Sequence, residues 1–114
     1  MRYDETGTMS DKIAALLAQL RAGLERLYGD RLVKVILFGS RARGDADPDS
    51  DIDVLVVLKA PVSPWEEIER TGSLATDLLL EQGELVACVF VSEEEFLKDK
   101  TPLLLNVRRE GVAV

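Results

Sequence analysis

Two short β-branched runs, Leu32 to Phe38 and Asp51 to Leu58, constrain this chain more than anything else in it. Neither shows the three-and-four spacing of a helix, so each is read as a strand. Between them Gly39 breaks the first run. Residues 40–50, Ser-Arg-Ala-Arg-Gly-Asp-Ala-Asp-Pro-Asp-Ser, are small and polar, punctuated by Gly44 and Pro48, with room for a short helical turn after Ser40. A third run, Leu85 to Val91, has the same strand character.

Around these strands the apolar spacing changes to that of helices. Ile13, Leu16, Leu17, Leu20, Leu24 and Leu27 recur at three and four, with Lys12, Gln19 and Arg26 on the opposite, wet face. Thr8 and Asp11 have capping-box spacing, Gly29 can end the helix, and residues 1–9 read as a loose, flexible leader. Ser63, Pro64 and Glu66 open a second helix, whose expected buried stripe is Trp65, Ile68, Ala75, Leu78 and Leu79. Gly72 marks a bend in it and Gly83 its end. Ser92 and Glu95 repeat the capping signature before a short helix around Phe96, and Leu103 to Val114 holds a brief amphipathic piece that ends after Gly111. The fold class expected is α+β: a small mixed central sheet of three to four strands flanked by helices, in one domain over residues 1–114. A chain of this length buries one modest core.

Charge narrows the chemistry. Twenty-one acids face fourteen bases, histidine is absent, and the net charge is −7. Histidine zinc sites, Ser-His-Asp triads and histidine acid–base catalysis are excluded by composition. Direct nucleic-acid binding is disfavoured because phosphate neutralisation needs clustered Lys and Arg, and one Trp with three Phe supplies few stacking platforms. The single Cys88 fits a reducing, cytoplasmic setting, and no apolar run approaches a membrane span or a secretory leader. Carboxylate chemistry remains.

Asp51 and Asp53 stand two apart at the start of a strand, so both side chains take one face while Ile52 and Val54 point into a core. Two adjacent like charges beside an apolar strand are costly, and a divalent cation, Mg²⁺ or Mn²⁺, resolves the conflict with hard oxygen ligands. The alternative is a solvated pair of turn residues. Gly39 and Ser40 follow a strand and precede a helical turn, where backbone N–H groups, the Ser40 hydroxyl and the helix dipole can hold phosphate. An ordinary turn is the competing reading. Arg41 and Arg43 add local positive charge that suits phosphate oxygens, though arginines are also common on loop surfaces.

Phe38-Gly39-Ser40-Arg41-Ala42-Arg43-Gly44-Asp45, followed by Ser50-Asp51-Ile52-Asp53-Val54-Leu55-Val56, resembles the signature of the minimal nucleotidyltransferases of the polymerase beta superfamily: Gly-Ser, a ten-residue spacer, then Asp-x-Asp. The resemblance covers most of the chain, from about Ser10 to the tail, and implies a palm-like fold. It further implies that Gly39 and Ser40 bind nucleotide phosphates, where Arg41 and Arg43 are the candidate charged partners, and that Asp51 and Asp53 are the catalytic, metal-holding pair. The implied activity is Mg²⁺-dependent transfer of a nucleoside monophosphate, AMP from ATP by default, to a hydroxyl with release of pyrophosphate. The family pattern also places an acid on the next strand. Here Leu85 to Val91 has none, Val89 or Cys88 stands in its place, and Glu84 is the nearest candidate ligand, with a solvated loop position as its alternative. Small members resemble antitoxins paired with a helical HEPN-type protein, some of which attach AMP to a tyrosine of that partner while others act by binding it. Leu103-Leu104-Leu105 is then either a docking segment for a partner or a second copy, or part of the chain's own core. A catalytically weak nucleotide- or metal-binding module that works by complexing its partner is the rival function.

Overall fold

The computed structural model describes residues 11–46 and 49–114. The leader over residues 1–9, the Thr8 half of the first capping box and Pro48 lie outside them. Helix α1 (Asp11–Tyr28) is followed by a single 3-10 turn, Gly29–Arg31, and strand β1 (Leu32–Phe38). The polar segment holds α2 (Ser40–Arg43), one helical turn, before β2 (Ile52–Leu58). Then come α3 (Pro64–Arg70), α4 (Gly72–Gln82), β3 (Val86–Ser92), α5 (Glu93–Lys98), α6 (Pro102–Glu110) and β4 (Val112–Ala113). The sheet order is β3-β2-β1-β4, with β1 antiparallel to both β2 and β4, and β2 parallel to β3. The architecture is therefore α+β with a mixed four-stranded sheet.

β2 is covered on both faces, as its unbroken apolar sequence requires. Ile52, Val54, Val56 and Leu58 pack with the leucine stripe of α1, with Val35 and Leu37 of β1 and with Leu78 of α4. Leu55 and Val57 point the other way and meet Ile36, Val91, Leu104 and Val107. Leu103 packs at the border of this second core, so the leucine triplet folds back on the sheet and leaves Leu105 as its exposed member. Strand alternation puts Asp53 on the face of Leu55 and Val57, at the end of the second core.

Several expectations need correction. Leu27 is largely exposed, so the α1 stripe ends at Leu24 and Tyr28 takes over. The stripe expected for the second helix is wrong on its outer members: Trp65 is 71% exposed, Ile68 50% and Leu79 42%. The long helix is in fact two, broken at Thr71 with Gly72 opening α4, and what α3 buries is Glu67. Tyr28 Oη donates to Glu67 Oε1 at 2.7 Å, Arg70 Nη1 donates to the same oxygen at 2.6 Å, and Arg31 stands 4.0 Å from Oε2. A paired carboxylate thus occupies a place that periodicity assigned to hydrocarbon. Ser63 occupies the N-cap position of α3 without making the side-chain bond, whereas Ser92 and Glu95 form both bonds of their capping box. The tail adds a fourth strand. Gly111 makes it possible, because a Cβ there would lie 2.5 Å from both Ile36 Cγ2 and the Val107 carbonyl.

Candidate active site

The antiparallel pairing of β1 with β2 sets Phe38 opposite Asp53, so the residue after β1 and the acid of β2 meet at one end of the sheet. Gly39 has φ +75° and ψ −157°, a conformation essentially confined to glycine. A Cβ on it would lie 2.5 Å from Asp53 Oδ2. Glycine is therefore needed twice here, for the backbone angle and for the approach of the carboxylate. After it the chain turns once. Ala42 and Arg43 donate to the Gly39 carbonyl and Gly44 and Asp45 to that of Ser40, which leaves Ser40 at the head of the turn beside the acid-bearing strand.

Asp51 precedes β2 and is exposed, while Asp53 is half-buried within it. Burial first, and then the neighbouring charge of Asp51, push the Asp53 carboxyl above the usual aspartate range; Arg43 pulls it partly back. An acid strained in this way favours a cation. Among the described residues no three metal-binding side chains converge, and Asp51 and Asp53 are the carboxylates they place at this end of the sheet. Two carboxylates completed by substrate phosphate oxygens are a common way of holding Mg²⁺, and the donor set fits that ion.

The two arginines separate. Arg43 stays at the site, about half exposed, with Nε 3.2 Å from Asp45 and Nη1 3.3 Å from Glu110 of α6. Glu110 was not identifiable from the motif, being brought there by the fold of the tail. Arg41, expected on phosphate, turns inward and is 2% exposed. Its Nη2 donates to the Ser50 carbonyl at 2.7 Å and to Glu84 Oε1 at 3.2 Å. Glu84 is correspondingly neither a solvated loop residue nor a third member of the acidic pair. It is 7% exposed, and its second oxygen lies 3.6 Å from Lys12 Nζ.

The register of β3 answers which residue stands where a third acid is expected. Ala87 is beside Asp53, Val89 is one step further on the same face, and Cys88 pairs with Val54 on the opposite one. Ala87 is thus the neighbour, rather than Val89 or Cys88. The Cys88 thiol, packed against the first core, is pushed up to about 11 by burial, which disfavours its thiolate. A hollow of about 670 Å³ lies at the far end of β2 and β3, where Glu93, Glu94, Glu95 and Asp99 outnumber the single cation Lys98. Its carboxylates repel nucleotide phosphates, and it contains none of the motif residues.

Comparison with known proteins gives the family and the fold. Residues 17–70 match the family described as "Nucleotidyltransferase domain". A Methanocaldococcus jannaschii protein named "Putative protein adenylyltransferase" is 42% identical over 103 residues, covering 90% of this chain and 99% of that protein. A solved "putative minimal nucleotidyltransferase" shares 30% identity with a TM-score of 0.54, over 89% of this chain and 90% of the other. A chain of a toxin-antitoxin crystallised with AMP-PNP has the same fold, with TM-score 0.55 at 24% identity, over 90% of this chain and 69% of that one.

Proposed function

The chain belongs to the nucleotidyltransferase family, and from that premise we propose that it transfers AMP from ATP to a hydroxyl of a partner protein, with Asp51 and Asp53 holding Mg²⁺. The observation that carries this reading is the seating of Asp53 against Gly39, with Asp51 and Arg43 close enough to shift its carboxyl. In the reaction the acceptor hydroxyl gives up its proton to solvent, its oxygen bonds to the α-phosphorus, the bond from that phosphorus to the α,β-bridging oxygen breaks, and pyrophosphate departs with the bonding pair. Mg²⁺, when bound, screens phosphate charge and makes the acceptor hydroxyl easier to deprotonate. The glycine turn lets the triphosphate approach the backbone, and Ser40 offers it a hydroxyl. Arg43 can exchange its carboxylate partners for phosphate oxygens, to which guanidinium geometry is suited.

The names of the similar proteins support a protein acceptor, and a tyrosine of a helical HEPN-type partner is the acceptor we propose. No helix among the described residues is long and apolar enough to cross a membrane; a cytoplasmic location and action as one domain over residues 1–114 belong to the same proposal. Ala87 beside Asp53 favours one second reading, a module that binds nucleotide or metal weakly and neutralises its partner by complex formation.

The test is incubation with α-labelled ATP, Mg²⁺ and the product of the adjacent gene. Wild type should label the partner, and Asp51→Asn or Asp53→Asn should lower the rate by about a hundredfold or more. Label transfer unaffected by either substitution refutes the site. Tight complex formation without label selects the binding module.

A further inference from the structure

Asp51 lies outside β2 and is exposed, yet the backbone on either side of it is anchored. On one side the Ser50 carbonyl receives Arg41 Nη2 at 2.7 Å. On the other the Ile52 amide donates to the Leu85 carbonyl at 2.8 Å. The residue before Leu85 is Glu84, whose Oε1 binds the same Arg41 nitrogen at 3.2 Å. One guanidinium therefore closes a ring through three segments: the turn after Gly39, the entry to β2 and the entry to β3. Lys12 of α1 holds the other oxygen of Glu84 at 3.6 Å and ties the ring to the first helix.

We propose that Arg41 is a positioning residue rather than a nucleotide ligand: with Glu84 as its anchor, it sets the backbone at Ser50 and so the placement of Asp51 toward metal and nucleotide. This inference rests on the transferase reading. Burial keeps the guanidinium from phosphate, and its position between two acceptors explains why arginine stands here. Both bonds leave the one nitrogen Nη2, whose two N–H directions the planar guanidinium fixes; lysine would carry the charge on a flexible stem with freely rotating donors. A carboxylate displaced even slightly loses its alignment, and misplacement of about 1 Å can cost on the order of a hundredfold in rate.

The experiment uses the full chain as wild type, Arg41→Lys and Glu84→Gln. It reads thermal unfolding, kcat and KM for ATP, and binding of Mn²⁺ in the presence of AMP-PNP by electron paramagnetic resonance. The expected result is folded variants with KM for ATP within about threefold of wild type, kcat down about tenfold to a hundredfold, and Mn²⁺ affinity down about tenfold. A rise of about tenfold in KM with kcat unchanged would make Arg41 a phosphate ligand and overturn the proposal. So would kcat and Mn²⁺ affinity both unchanged in a folded variant. If Arg41→Lys fails to fold, Glu84→Gln decides; if neither folds, the pair is a folding element and the proposal falls. Should wild type transfer no AMP to any acceptor, the transferase reading fails, while Mn²⁺ binding still reports on the ring.

Discussion

Asp53 carries its charge against two opposing influences, partial burial and the adjacent Asp51, and both raise its carboxyl above the usual range. An acid whose folded pKa is raised opposes folding once ionised. The penalty is absent below the ordinary aspartate range, grows as pH rises through the window up to the raised value, and stays constant above it. Asp53→Asn should therefore raise the melting temperature at neutral pH while abolishing transfer, and the gain over wild type should vanish as pH falls below that window. A thermal melt series against pH checks it; a lower melting temperature at neutral pH would contradict it. Gly39 admits less change. Alanine there meets a forbidden backbone region and the Asp53 carboxylate together, so Gly39→Ala should cost about 1–3 kcal/mol in urea unfolding and remove activity. That Gly39 and Asp53 come together was legible in the sequence, because a strand, a glycine turn and a second strand pair antiparallel and bring the two positions to one end. The roles of Arg41 and Glu84 were not, since residue type does not say whether a guanidinium turns outward to phosphate or inward to a carboxylate.

Elements followed local rules closely wherever local rules decided them. β-branched runs became the strands, the helix expected to bend near Gly72 broke one residue earlier at Thr71, and Ser92 with Glu95 capped α5. The errors fell where a helix meets its neighbours. Periodicity assumes that the buried face of α3 is apolar, whereas Tyr28, Arg31 and Arg70 supply partners that let Glu67 be buried in its place. Burial and the bond to Glu67 hold the Tyr28 phenol above its ordinary range, and the rings of charge and hydroxyl act as one unit. Removing the carboxylate leaves two arginines and a phenol without their common acceptor. The arginines left behind are partly exposed and only the Tyr28 hydroxyl loses a buried acceptor, so Glu67→Ala should cost about 1–2 kcal/mol in urea unfolding, and no measurable loss would mean that the network is not structural. β4 escaped sequence reading because two residues carry no period, and their place depends on Gly111 fitting against Ile36.

At the scale of the molecule, a net charge of −7 and two adjacent carboxylates at one sheet end make stability responsive to cations. A ligand that binds only the folded state stabilises by RT ln(1 + [L]/Kd), about 2.7 kcal/mol at a hundredfold excess over Kd. Mg²⁺ with AMP-PNP should raise the melting temperature of wild type by several degrees, and Asp51→Asn should remove the gain; an equal shift in both proteins would place the ligand elsewhere. The sequence by itself determined the strands, the leucine helix, the α+β class and the acid pair with its glycine turn, because each rests on neighbours within a few residues. Tertiary structure alone decided that Glu84 holds Arg41, that Glu110 reaches Arg43, that Ala87 stands beside Asp53, and that the leucine triplet closes a core. Those outcomes depend on strand register and on which helix covers which face, and their residue pairs lie from 34 positions apart (Asp53 and Ala87) to 67 (Arg43 and Glu110), a distance over which no periodicity carries information.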